Sequence, residues 1–275
     1  MICLYHKNCN DGAAAALAVW VKFGDEGNQY LPVNYCEDPP EEVYKYQDII
    51  IVDFSYKRDV LIDLSCKVKS IILIDHHKTS REDLNDIRQE LSCKNNVVFD
   101  MEKSGAVLAW EYFNPEKELP GLFKHIQDRD LWTLELPETQ NIAKALKLYP
   151  DWREWNCLFD DDEFKEFIIE GKAINDFLEL QTKSIIQPPS VWEHGGNEKV
   201  PILNIPGFMA SDSLNQALEI YPESPYAVSY FCEKNKTTYS LRSRNGSDVD
   251  VSKKAERFGG GGHKHAAGFV INKSN

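Results

Sequence analysis

Three stretches of the chain are almost wholly apolar and stop abruptly on side chains able to bind a metal. Residues 2–5 run into His6, residues 49–52 into Asp53, and residues 71–74 into Asp75, His76 and His77. Short, β-branched, continuous apolar runs are the pattern of strands buried on both faces of a parallel sheet. Between them the period changes. Residues 13–23 and 58–67 read as helices, residues 30–35 and 97–99 as further strands, and Ser104 as the N-cap of a helix reaching Phe113. Strand–helix alternation of this kind predicts an α/β fold with a doubly wound, mostly parallel sheet. In such sheets ligands bind beyond the carboxyl ends of the strands, where these His and Asp residues fall.

Residues 120–187 read as a largely helical, acidic connector. Breaker clusters at 187–190 (QPPS) and 194–197 (HGGN) mark the linker. Beyond it the pattern predicts a smaller α+β module, with strands near 200–205, 227–232, 237–242 and 269–271 and helices near 212–221 and 253–257. The expected domains are therefore 1–190, metal-binding, and 198–275, substrate-binding. A chain of 275 residues favours two domains over one.

Charge changes the picture of the partners. The net charge of −13 argues against a wide basic surface for long duplex nucleic acid. Yet residues 232–275 carry nine Lys/Arg against four Asp/Glu, a net of +5. A basic module beside an acidic one suits a small anionic ligand. No apolar run approaches the roughly 20 residues that span a bilayer, and the N-terminus lacks the basic start of a signal peptide. The seven scattered cysteines, with no C-x-x-C pair, suggest reduced thiols and a cytoplasmic location.

Five places carry chemistry. His6 and Asp11 flank a strand-to-helix turn that Gly12 lets close tightly, although Asn/Asp-Gly turns are also common as solvated turns. Asp53 ends a strand, a position that also suits a helix cap. Asp75-His76-His77 is the strongest signal. Asp128, in IQDRDLW, could equally be half of an Asp–Arg surface pair. Last comes FGGGGHKHAAGF at 258–269, where glycines permit close backbone approach to a phosphate; a flexible linker is the lesser alternative, because Ala266-Ala267-Gly268-Phe269 resumes an ordered pattern at once.

Taken in order, these residues resemble one family, the DHH phosphoesterases with a DHH-associated C-terminal domain (DHHA1). The resemblance covers nearly the whole chain: the His6…Asp11-Gly12 turn, Asp53, the DHH triplet, Asp128 and the glycine run ending in His263 before Ala266-Ala267-Gly268. Studied members degrade very short oligonucleotides, dephosphorylate 3′,5′-nucleoside bisphosphate, cleave cyclic dinucleotides or their linear products, or act as single-strand exonucleases. More distant ones hydrolyse pyrophosphate.

The resemblance implies a manganese-type site, with Mg²⁺ as the alternative ion. Asp53 would bridge two ions; Asp11, His76 and Asp128 would complete one coordination sphere, and His6 would belong to the other. Asp75 would orient a neighbouring His, and His77 would face the scissile phosphate. Arg242, Gly260, Gly261, Gly262 and His263 would hold the rest of the substrate, with Arg suited to forked phosphate contacts. Two ions about 3.5–4 Å apart would activate a water for in-line attack. The first motif departs from the family: many members carry two carboxylates there, whereas Cys9 and Asn10 stand near the place of the missing acid. The His6 site is therefore expected to be the weaker one.

The implied activity is a metal-dependent phosphodiesterase that releases nucleoside monophosphates from short oligonucleotides or linear dinucleotides. The alternatives are a phosphomonoesterase on a nucleoside bisphosphate and a nucleotide-binding protein with little turnover. The expected partner is a short oligonucleotide or small nucleotide, with no long duplex nucleic acid and no membrane; the oligomer envisaged is a homodimer.

Overall fold

In the computed structural model the described residues are 1–35, 37–186, 191–194 and 198–273. The expected linker at 187–190, and all but His194 of the 194–197 cluster, lie outside them. By packing the chain divides into two units, Met1–Asn175 and Asp176–Asn275.

The N-terminal unit is built on five parallel strands: β1 (Ile2–His6), β2 (Gln29–Val33), β3 (Asp48–Val52), β4 (Ser70–Asp75) and β5 (Lys94–Phe99). Their order is β2-β1-β3-β4-β5, so the winding reverses beside β1. That reversal opens a crevice at the carboxyl edge. β1, β3 and β4 are buried almost throughout, which explains their continuous apolar sequence.

Helices cover both faces. On one side α1 (Asn10–Phe23), α4 (Gly105–Phe113) and α5 (Gly121–Asp130) share a core with Val52 and Ile74. The alanines of α1 (Ala14, Ala15, Ala16, Ala18) are fully buried and let α4 approach closely. On the other side α2 (Arg58–Ser65), α3 (Lys78–Asp83) and the turn at Ile87–Gln89 flank a second core. The connector adds α6 (Thr139–Ala145), a 3₁₀ segment at Trp152–Phe159 and α7 (Asp161–Ile186). Trp152 packs edge-on against Tyr5 and Tyr30 and donates its indole N–H to the Tyr5 hydroxyl. Trp155 donates to the Tyr149 carbonyl. The DWREW segment is thus a packing element behind β1.

The C-terminal unit contains β6 (Val191–His194), β7 (Glu198–Asn204), α8 (Gly207–Ile220), β8 (Ala227–Cys232), β9 (Lys236–Arg242), α9 (Val251–Glu256), β10 (Gly261–Gly262) and β11 (Ala266–Asn272). Its sheet runs β10-β11-β9-β8-β7-β6, with only β7 and β8 parallel. Apolar clusters sit on both sides, one under α8 and one under α9. The glycine run, expected to form a phosphate cradle, is partly strand. A Cβ on Gly260 would stand 2.6 Å from the Phe269 Cβ, and one on Gly262 2.8 Å from the Ala267 Cα. Close strand packing therefore requires glycine at both positions. Among the described residues no helix is long and apolar enough to cross a membrane, and the described cysteines are free thiols.

Candidate metal centre

His6 is the last residue of β1, Asp53 follows β3, and the DHH triplet starts on the last residue of β4. Adjacent parallel strands end at one level, so their side chains meet at the crevice. Asp11 joins them from the first turn of α1. Asp11, Asp53, Asp75, His76 and His77 are all buried.

The cluster has two lobes. Asp11, His76 and Asp130 offer ligand atoms within 4.8 Å of one another, and so do His6, Asp53 and His77. Asp53 joins the lobes: its Oδ1 lies 3.0 Å from His76 Nε2, and its Oδ2 lies 3.5 Å from His6 Nδ1. His76 Nε2 is also 3.5 Å from Asp11 and 3.7 Å from Asp130. Asp53 holds this place with φ of 59°, a left-handed conformation that Asp tolerates better than most residues. Unusual backbone of this kind concentrates at functional sites.

Asp75 faces a different set of partners. Its Oδ1 accepts from His77 Nδ1 at 2.7 Å and from the backbone amides of His76 and His77, while its Oδ2 accepts from the Ser55 hydroxyl at 2.6 Å. Burial alone would raise this carboxyl, but His77, His76 and Ser55 outweigh it and hold it at about 2. An anionic Asp75 fixes the proton on His77 Nδ1 and with it the orientation of the ring.

The Asp11 carboxylate is anchored at the start of α4, where Gly105 N–H and Ala106 N–H donate to its two oxygens at 2.6 and 3.0 Å. Ser104 caps the same helix through Val107 N–H. Gly105 stands so close that a Cβ there would lie 2.7 Å from Asp53 and 3.0 Å from Asp11. Sequence reasoning finds Ser104 as a cap but misses Gly105. Tyr35, just past β2, also escapes it; its ring meets those of His6 and His77 edge-on at 5.0 and 5.5 Å.

Asp128 is the one expected ligand that the structure does not bring to the cluster. Its carboxylate accepts from the Thr133 and Thr139 hydroxyls and from the Glu135 and Leu136 amides, at 2.6–3.2 Å. It pins the loop after α5, where Trp132 and Leu134 take positive φ. Residues two apart on a helix lie about 200° apart around its axis. Asp130 therefore faces the cluster and Asp128 the loop. Asp128→Asn should destabilise the fold by about 1–3 kcal/mol, since one amide donor loses its acceptor, yet retain divalent-ion affinity. Asp130→Asn should do the reverse. Thermal melts and calorimetric Mn²⁺ titrations separate the two; equal loss of Mn²⁺ affinity in both would contradict the assignment.

Neither residue near the missing acid restores a charge. Asn10 Nδ2 donates to the Ala143 carbonyl in α6. Burial, followed by the charges of Asp53, Asp130 and Asp11, pushes the Cys9 thiol well up.

The donor set fits a divalent cation. Burial and the neighbouring carboxylates raise Asp11 well above the ordinary range, and burial raises Asp130 too. Burial also opposes ionisation of Asp53, but its contacts with His6 and His76 hold it well below that range. His6 Nδ1, Asp53 Oδ2 and Asp130 Oδ2 are buried atoms that make no hydrogen bond. Buried polar atoms are normally satisfied, and a shared cation would satisfy these. Oxygen and imidazole donors without thiolate favour Mn²⁺ or Mg²⁺ over structural zinc.

The expected substrate-binding residues lie in the C-terminal unit. Arg242, opposite Ala266 across β9 and β11, donates to the Ser211 hydroxyl of α8. Gly261 and Gly262 form β10, and the amide of His263 donates to the Ala266 carbonyl.

No family model matches the chain. Protein R106 of Acanthamoeba polyphaga mimivirus, itself uncharacterized, is 31% identical over 289 residues, spanning 98% of this chain and 67% of R106. Several solved structures share the fold. The DHH domain of a protein from a family of ribosomal proteins matches with a TM-score of 0.56 and 16% identity, over 98% of this chain and 82% of its own. RecJ of Thermus thermophilus, in complex with Mn²⁺, matches with a TM-score of 0.54 and 16% identity, over 98% of this chain and 49% of its own.

Proposed function

Since the chain belongs to the family of mimiviral R106 and has the fold of the DHH phosphoesterases, we propose that it is a metal-dependent phosphodiesterase. Its proposed substrates are short oligonucleotides or linear dinucleotides, cleaved to nucleoside monophosphates. The observation that carries this reading is the two-lobed cluster joined by Asp53, at the crevice where the sheet reverses. The solved neighbour RecJ, in complex with Mn²⁺, supports a metal role on this fold.

Bound divalent ions would supply positive charge to the phosphoryl oxygens and a water acidic enough to attack at neutral pH. The ligands in this reading are Asp11, His76 and Asp130 in one lobe and His6 in the other, with Asp53 shared. Asp130 replaces the Asp128 expected from sequence. Asp75 keeps His77 oriented with a proton on Nδ1. From that position the remaining nitrogen of His77 contacts the reacting phosphate and, when protonated, gives its proton to the leaving oxygen. The Gly105 and Ala106 amides hold Asp11 still as charge builds. In the C-terminal unit Arg242, His263 and the amides of Gly260, Gly261 and Gly262 are assigned to the rest of the substrate.

The test is hydrolysis with Mn²⁺ and with EDTA, products resolved by chromatography. The panel is a dinucleotide, a trinucleotide, a long single strand, a cyclic dinucleotide and 3′,5′-adenosine bisphosphate. Mononucleotide release from the short oligomers, abolished by EDTA, is the expected result. Inorganic phosphate from the bisphosphate alone would replace this reading with a phosphomonoesterase. No turnover at any Mn²⁺ concentration would leave a nucleotide-binding protein.

A further inference from the structure

The C-terminal sheet carries a row of aromatic rings that the metal site does not use. Strand register aligns Tyr230 on β8, Tyr239 on β9 and Phe269 on β11. Tyr239 and Phe269 are stacked, with centroids 4.7 Å apart and planes 11° from parallel; Tyr230 lies 6.3 Å from Tyr239. The next strand outward is β10, whose two glycines have no side chains to continue the row. Phe258, just beyond α9, takes that place instead, stacked on Phe269 at 4.5 Å and 17°.

Phe258 is the outer end of the stack, and it is 53% exposed. Phe269 covers one of its faces. Among the described residues no other ring meets it. Arg257, its neighbour in sequence, Lys253 of α9 and Lys264 of the turn before β11 are exposed in the same unit, as is Glu256. The segment 232–275 that contains them carries the net charge of +5. A flat apolar ring ending a stack, in a segment of net positive charge, has the chemistry of a base-stacking platform for single-stranded nucleotides. A second copy docked through the same surface would set basic patch against basic patch, and an inorganic polyphosphate has no ring to stack.

We propose that the outer face of Phe258 receives a nucleobase, extending the Tyr239–Phe269–Phe258 stack by one ring, so that this unit selects nucleotides over base-free phosphates. The proposal rests on the nucleotide phosphodiesterase reading and names the part of the substrate that the C-terminal unit recognises. Sequence contributed Phe258 only as the first letter of the glycine motif; the stack emerges once the strands are in register.

The test compares adenosine monophosphate with ribose 5-phosphate, which lacks the base, binding to the full-length protein with Mn²⁺ by calorimetry. The wild type should prefer the nucleotide, and Phe258→Ala should weaken nucleotide binding by about 5- to 150-fold, the range for one stacked base. Ribose 5-phosphate binding should stay unchanged. Phe258→Leu should behave like F258A, because it keeps apolar volume but no ring, whereas Phe258→Trp should retain nucleotide affinity. Equal nucleotide affinity in wild type and F258A overturns the proposal, as does equal weakening of both ligands. So does a dimer that F258A splits, by sedimentation, with nucleotide affinity intact, because the ring would then be a contact between copies. If the wild type binds neither ligand and cleaves no oligonucleotide, the functional reading falls and this proposal with it. If it cleaves oligonucleotides but ignores the base, only this proposal falls.

Discussion

Asp53→Asn is expected to lower dinucleotide turnover by at least about 10³-fold with little change in thermal stability. The choice of Asn isolates the cause. Position 53 has φ of 59°, and Asn accepts the left-handed region about as well as Asp, whereas Ala would add backbone strain. Size is nearly conserved, so the sheet beneath is undisturbed. What disappears is the charge that both lobes share, through Oδ1 toward His76 and Oδ2 toward His6. Charge stabilisation by a metal centre amounts to several kcal/mol, and each 1.36 kcal/mol is tenfold in rate, which gives the expected loss. Steady-state kinetics over a wide Mn²⁺ range check it. Turnover within tenfold of wild type at saturating Mn²⁺ would show that Asp53 is not the shared ligand.

Gly105→Ala should be nearly as damaging, although a methyl group carries no charge. The added Cβ would stand 2.7 Å from Asp53 and 3.0 Å from Asp11, and neither neighbour is free to yield. Asp11 is tied by the Gly105 and Ala106 amides, and Asp53 is set by its backbone and by two imidazoles. Relief requires moving the buried end of α4, or separating the two carboxylates by several tenths of an ångström. Disturbing the groups that orient metal ligands costs about 10- to 100-fold in ion affinity. Calorimetric Mn²⁺ titration of G105A should show a loss of that order, with turnover falling at least as far. Ser104→Ala, one residue earlier, removes only the helix cap. It should cost about 1 kcal/mol of stability and keep most of the ion affinity. Unchanged Mn²⁺ affinity in G105A would mean that the site adapts more freely than its geometry implies.

The sheet was legible because its sequence signal is strong. Strands buried on both faces must be apolar at every position, and a His or Asp at their ends has no packing explanation. That reasoning reached His6, Asp53, Asp75, His76 and His77 directly. It failed at Asp128 because two aspartates two apart on a helix are equivalent in sequence and opposed in space. Only the loop of Thr133, Glu135, Leu136 and Thr139, folding back on Asp128, separates them. Gly105 and Tyr35 were invisible for a related reason, since each reaches the site through tertiary approach from an element with no chemistry of its own. The glycine run carries an ambiguity of another kind. Two of its members are needed where β10 packs against β11, a requirement that sequence cannot tell from phosphate binding.

The most direct test of the centre is anomalous diffraction at the manganese edge from crystals grown with Mn²⁺. The expected map has one peak among Asp11, His76 and Asp130 and a second, weaker peak beside His6, with Asp53 touching both. Asp128 should remain bonded to its loop, remote from either ion. No peak at the cluster at millimolar Mn²⁺, or a peak coordinated by Asp128 and not Asp130, would contradict the account.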